Sequence, residues 1–191
     1  DKIKSEYNVT PLLASIVVGS DPATDVYMKS QIKVTKKIGI NYEAIELSKS
    51  ISQNQLIGII EKVNYDPKIN GLIIHLPLPE HIDTSTVQWN INAKKDVEGV
   101  TPHNLGRLFL GADGLYPCTA ESILALIKAT GVDIKGKEVT IVGHSAIVGK
   151  PIAMLLLKEE TTVTICHYAT SQRGMLEHHV RNAEILVVAV G

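Results

Sequence analysis

The chain has 191 residues, enough for one large domain or two small ones, and its 45% apolar and 20% charged side chains exclude disordered and collagen-like classes. Nineteen basic residues against twenty acidic ones leave a net charge of -1, which argues against a surface built to hold nucleic acid. One Trp, one Phe and six Tyr are too few for a base-stacking platform. Cys118 and Cys166 lie far apart and form neither a metal motif nor a redox motif, so a reduced, cytoplasmic setting is expected. No apolar run approaches the roughly 18 residues of a membrane span. These features predict a protein with no nucleic-acid or membrane partner that binds a small molecule.

In chain order, strand and helix signals alternate. Ala14–Gly19 reads as a strand rich in β-branched residues. Ser20-Asp21-Pro22 then supplies a cap and a first-turn proline, and Gly39 closes the helix after Lys36 and Lys37. Tyr42–Leu47 is a second strand, Ser52–Asn64 a second helix with Leu56, Ile59, Ile60 and Val63 on one side, and Gly71–Pro77 a third strand. Residues 83–115 are less regular. A helix from about Thr119 to Ala129 follows, then strand Glu138–Val142, a helix near Ile147–Lys158, strand Thr162–Cys166 and strand Ile185–Val190. The alternation predicts an α/β protein of two domains with parallel sheets, 1–115 and 116–191, the second opening with a glycine turn after its first strand. The chain begins with Asp and closes on a strand signal followed by Gly191, so both ends are expected to be cut.

Four segments carry candidate chemistry. In Val139–Pro151, a glycine-containing turn between strand and helix aims backbone N–H groups and the helix dipole at one point, as a phosphate requires. The spacing Gly143-x5-Gly149 is neither the dinucleotide fingerprint nor a nucleoside-triphosphate loop, so a plain structural turn stays open. Gly143-His144-Ser145-Ala-Ile147 also half-imitates a nucleophile elbow, with Ile147 in place of its second glycine. Tyr27 and Gln31, four apart, share a helix face beyond the first strand; a packed Tyr with a solvated Gln is the plainer alternative. His75, ahead of Leu76-Pro77-Leu78-Pro79, suits a base, a ligand donor or a satisfied core residue. Asp96 and Glu98 sit in a loop that also fits an ordinary polar turn.

Taken in this order, the segments resemble the bifunctional methylenetetrahydrofolate dehydrogenase/cyclohydrolase family. The matches are Val18–Tyr27, Ile38-Gly39-Ile40, Leu76–Pro79, Lys95-Asp96-Val97, Asn104–Arg107, Pro117-Cys118-Thr119 and Ile147–Pro151. The resemblance implies a folate-binding domain, a Rossmann-like domain for NADP or NAD, a cleft between them, a homodimer and a place in one-carbon metabolism. Carried over by position, it implies catalytic roles for Tyr27, Gln31, His75 and Glu98, and folate contacts from Tyr27, His75, Leu76, Pro77 and Asp96. Thr119, Gly143, His144, Ser145, Val148, Gly149, His167 and Tyr168 are implied at the cofactor, and no metal is implied.

The departures from the family pattern sharpen the reading. Gln31 stands where the family has its catalytic lysine, His75 where a glutamine is usual, Glu98 where the second acid is Asp, and His144 where many members have Arg. Tyr168 takes a position often held by Ser or Arg. Hydrolysis of a methenyl bridge needs proton transfers that a desolvated lysine performs and a glutamine cannot. Lys29 and Lys33 point off the Tyr27 face. Hydride transfer is mainly a positioning task. The expectation is therefore a methylenetetrahydrofolate dehydrogenase with weak or lost cyclohydrolase activity. A fully bifunctional enzyme, a folate- or nucleotide-binding paralogue without turnover, and a hydrolase using Ser145 are the alternatives.

Overall fold

The computed structural model describes residues 6–19 and 22–190, apart from the side chain of Ala23. The expected cap at Ser20 and Asp21 and the closing Gly191 lie outside the described residues. The chain divides into two compact units, residues 1–97 and 98–191. Residues 98–115, which the sequence reading groups with the first domain, pack with the second.

In the first unit, β1 (Leu12–Val18), β2 (Asn41–Leu47) and β3 (Gly71–Ile74) form a parallel sheet in the order β2-β1-β3. Helix α1 (Pro22–Ile38) links β1 to β2, and α2 (Gln53–Tyr65) links β2 to β3. Gly39 ends α1 with a positive φ of 77° that a side chain would strain. Ser52 starts α2 through a capping box with Gln55. The sheet's two faces follow from the two-residue period of strands. Ala14, Ile16 and Val18 of β1 and Leu72 and Ile74 of β3 pack with Leu56, Ile60 and Val63 of α2. Ser15, Val17, Tyr42, Ile73 and His75 therefore point to the opposite face.

Beyond β3 the sequence expectation of a strand running to Pro77 is trimmed to Ile74, since Pro77 and Pro79 lack the N–H a ladder needs. A six-residue helix α3 (Thr84–Trp89) follows, capped by Asp83, whose carboxylate accepts from Thr86 N at 2.8 Å. Lys95 then fastens the returning chain, its Nζ donating to Val63 O at 2.7 Å and Asp66 O at 2.6 Å around the end of α2. Asp96 bridges to Leu72 beside β3. Gly71 makes this approach possible, because a Cβ there would lie 2.6 Å from Val97 Cγ1.

The second unit repeats the plan. Helices α4 (Pro102–Phe109) and α5 (Cys118–Ala129) precede β4 (Glu138–Val142), α6 (Gly149–Lys158), β5 (Thr162–Cys166), α7 (Tyr168–Gln172), α8 (Leu176–Arg181) and β6 (Ile185–Val188). The parallel order is β5-β4-β6. Val139 and Ile141 of β4 pack with Ile152, Leu155 and Leu156 of α6, and Leu108 of α4 joins the same core. That burial is why residues 98–115 belong here. In each sheet the first strand is central and its successors lie on either side, so each first strand ends at a topological switch point, the edge where ligands of open α/β sheets bind. No helix among the described residues is long and apolar enough to cross a membrane.

Leu56 and Ile141 are fully buried and centre the two cores, whereas Tyr65 is 87% exposed. Leu56→Ala and Ile141→Ala are each expected to cost about 2–5 kcal/mol in urea unfolding. Tyr65→Ala should change stability by less than about 0.5 kcal/mol.

Candidate functional site

The face of the first sheet opposite α2 carries an unusual set of polar side chains. Ser15, in the middle of an otherwise apolar strand, is fully buried, and its Oγ lies 2.7 Å from His75 Nε2. His75, one residue past β3, is 8% exposed, and its backbone N–H donates to Ile16 O at 2.9 Å, which continues the β1–β3 ladder. Tyr42 of β2 donates its phenol hydrogen to Gln31 Oε1 of α1 at 2.9 Å. Tyr27 sets its ring edge-on to the His75 imidazole, with centroids 5.6 Å apart and planes at 71°. Tyr27 thus meets His75, and Gln31 meets Tyr42; Ser15 and Tyr42, which make these contacts, are not singled out in the sequence. The available signal was Ser15 itself, a hydroxyl inside a buried apolar run.

Burial sets the electrostatics of this cluster. It pushes the His75 imidazole below the ordinary histidine range, so the neutral form is favoured. It also pushes the Tyr42 phenol up, aided by nearby Tyr27 and opposed by the Ser15 hydrogen bond, so Tyr42 keeps its proton. Gln31 offers an amide where a proton carrier would need a titratable group.

The other candidates of this part of the sequence lie between residues 76 and 98. Leu76 and Pro77 are exposed just after His75. Pro77 and Leu78, with Val18, Gly19, Lys49 and His81, line an open depression of about 840 Å³ at the carboxyl edge of the sheet. Asp96 is buried beside β3. Glu98 is half-buried and begins the second unit.

In the second unit the candidates gather at the end of β4. Gly143 has a φ of 118°, and a Cβ on it would collide with the Ala189 carbonyl. A Cβ on Gly149 would collide with the Gly143 carbonyl. Both glycines let the backbone close tightly at the switch point, which leaves a cradle suited to a phosphate at the head of α6. Val148, half-buried, sits in that turn. Ser145 Oγ accepts from Val148 N at 3.1 Å and Gly149 N at 3.3 Å, so it caps α6 and does not stand free as a nucleophile. The helix accordingly begins at Gly149, not at Ile147. His144 and His167, at the ends of β4 and β5, meet edge-to-face with centroids 5.1 Å apart. His167 also shares a depression of about 270 Å³ with Thr170, Arg173 and His179. Tyr168 and Thr119 are exposed at the starts of α7 and α5. Among the described residues, no group of three His, Cys, Asp or Glu side chains is placed to hold a metal ion.

Both units resemble known proteins. Residues 1–98 match the family model of the tetrahydrofolate dehydrogenase/cyclohydrolase catalytic domain, and residues 117–191 match that of its NAD(P)-binding domain. The chain is 43% identical over 183 residues to the bifunctional protein FolD of Bacillus subtilis, covering 96% of this chain and 64% of that protein. The crystal structure of the bifunctional enzyme FolD from Campylobacter jejuni superposes with a TM-score of 0.93 at 37% identity, over all of this chain and 67% of the other. The Trypanosoma brucei FolD, solved with NADP cofactor and inhibitor, superposes with a TM-score of 0.92 at 30% identity, over all of this chain and 64% of the other. The chain therefore spans about two thirds of the length of the relatives it matches.

The burial of His75 makes a stability prediction. An imidazole that resists protonation when folded but titrates near 6.5 when unfolded lets the unfolded chain bind more protons in acid. Stability should therefore fall as the pH drops through about 6.5. His75→Gln should lose that part of the slope, as measured by urea midpoints of both proteins at pH 7.5 and pH 5 (about one unit either side of the histidine range).

Proposed function

The chain belongs to the tetrahydrofolate dehydrogenase/cyclohydrolase family, and from that premise we propose that the protein is an NAD(P)-dependent methylenetetrahydrofolate dehydrogenase whose hydrolysis of the methenyl product is weak. Tyr27, His75, Leu76, Pro77 and Asp96 form its folate-facing set. Gly143 and Gly149 hold the dinucleotide phosphates at the head of α6, and His144, Ser145, Val148, His167, Tyr168 and Thr119 complete the cofactor's surroundings. When bound, the nicotinamide supplies the hydride acceptor. The protein's own task in that step is to hold and orient, with Tyr27 as an aromatic wall and a dry, neutral His75 beside it. Glu98 stands in the acidic position of the family pattern. The family reading carries with it a cytoplasmic homodimer.

The observation that carries the weak second step is the Tyr42–Gln31 hydrogen bond. It occupies the amide at the family's lysine position with a phenol that holds its proton, so no amine there can shed and regain one. In the full-length protein, oxidation of methylenetetrahydrofolate should outpace methenyl hydrolysis by at least about tenfold. Gln31→Lys should raise hydrolysis. Absorbance assays of both steps check this, and equal rates in the unmodified protein would refute it.

Cofactor choice follows from the residues beside the turn. Reading a ribose 2′-phosphate takes a fixed, permanently charged fork such as arginine supplies, and neither His144 nor Tyr168 is one. Discrimination between NADP and NAD is therefore expected to be weak. Titrations of both cofactors test it; an NADP preference of about a hundredfold or more would assign the phosphate to Arg173 instead.

A further inference from the structure

The second unit holds a small cavity where α7 meets α8. It measures about 270 Å³ and is lined by His167, Ala169, Thr170, Arg173, Met175 and His179. Every polar side chain in this lining can donate a hydrogen bond, and no carboxylate belongs to it. Arg173 carries a permanent charge, and among the described residues its guanidinium makes no hydrogen bond and no ion pair. The next acids along the chain are already taken, Glu177 by Arg181 at 2.7 Å and Glu184 by Lys137 at 2.5 Å. Thr170 Oγ1 accepts the backbone N–H of His167 at 3.2 Å, which leaves the hydroxyl its own hydrogen to donate. An unpaired guanidinium, a hydroxyl and two imidazoles around one small hollow form the donor set of an oxyanion.

This cavity is not the phosphate cradle of the β4–α6 turn. Val139 and Ile141 of β4 face α6, so Thr140 between them faces the other way. Its hydroxyl donates to His179 O at 3.0 Å, which fastens α8 to the middle of β4 on the face opposite α6. The cradle lies at the carboxyl end of the same strand.

We propose that the cavity binds a free phosphate dianion, held by Arg173 with Thr170, His167 and His179, at a site separate from the dinucleotide. Its volume is below the roughly 300–1,000 Å³ of pockets that enclose drug-sized ligands, which suits a compact ion and not a nucleotide. A planar carboxylate brings two oxygens and would leave donors of this set unpaired, whereas a tetrahedral phosphate brings four. The arginine fork engages two of them side by side, and the hydroxyl and imidazoles serve the others. Phosphate binding needs neither folate nor turnover, so the site stands apart from the dehydrogenase reading.

Calorimetric titration of the full-length protein with sodium phosphate tests this, with pH fixed and ionic strength held by sodium chloride. One phosphate per chain should bind saturably, and acetate should bind more weakly. Arg173→Met should weaken phosphate binding by about tenfold or more, through loss of charge-assisted hydrogen bonds. Its melting temperature without phosphate should barely change, because Arg173 is exposed and unpaired. Arg173→Lys keeps the charge without the fork and should weaken binding less. If Arg173→Met does not fold, Arg173→Lys and Thr170→Val decide, since each removes a donor and each should weaken phosphate binding. Phosphate should bind equally well in the presence of saturating NAD or NADP. No saturable binding, or binding that these substitutions leave unchanged, overturns the proposal. Displacement of phosphate by NADP but not by NAD also overturns it, and would make the cavity the seat of the cofactor's ribose phosphate.

Discussion

The hydrogen bond between Ser15 Oγ and His75 Nε2 joins two strands at a point where both residues are buried, and the first unit's chemistry is arranged around it. A buried hydroxyl and a buried imidazole each cost about 1–3 kcal/mol if left unpaired, so each fixes the other. The backbone bond from His75 N to Ile16 O holds the same pair of strands in register. With His75 fixed, Tyr27 finds an edge-on partner, and on the same sheet face Tyr42 bonds Gln31. A one-residue slip of β3 against β1 would carry His75 to the α2 face and leave Ser15 unpaired.

In the second unit the corresponding constraint is steric. The turn after β4 closes only because neither Gly143 nor Gly149 has a side chain, each pressed against a backbone carbonyl that cannot yield. Ser145 then ties the turn to α6 through two backbone N–H groups. The same residues that hint at a nucleophile elbow in the sequence are thus spent on shaping the loop. The two units use the same strand order for different ends, one to gather side chains on a sheet face and the other to bring backbone to a helix terminus.

The parallel α/β plan was legible because buried strands of four to seven residues separated by amphipathic helices leave a strong periodic signal. The short helices α3, α4, α7 and α8 were not legible, since five to eight residues carry too little periodicity to separate from a polar loop. The placement of residues 98–115 was missed for a related reason. Their membership depends on Leu108 reaching the core beneath α6, a contact between residues far apart in the chain.

Among the candidate residues, Tyr27, Gln31, His75 and the Gly143–Gly149 turn could be singled out from the sequence, because spacing places residues on a shared face or in a strand–helix turn. The sequence by itself determined which residue types are present: an amide at position 31, an imidazole at 75, and imidazoles at 144 and 167. Only the tertiary structure decided what those groups do to one another. Ser15 meets His75 across 60 residues of chain, and Tyr42 meets Gln31 across a helix and a strand. Sheet register creates the contact of Ser15 with His75, and register depends on burying a whole face at once, so no local pattern encodes that pairing or the burial that favours the neutral imidazole.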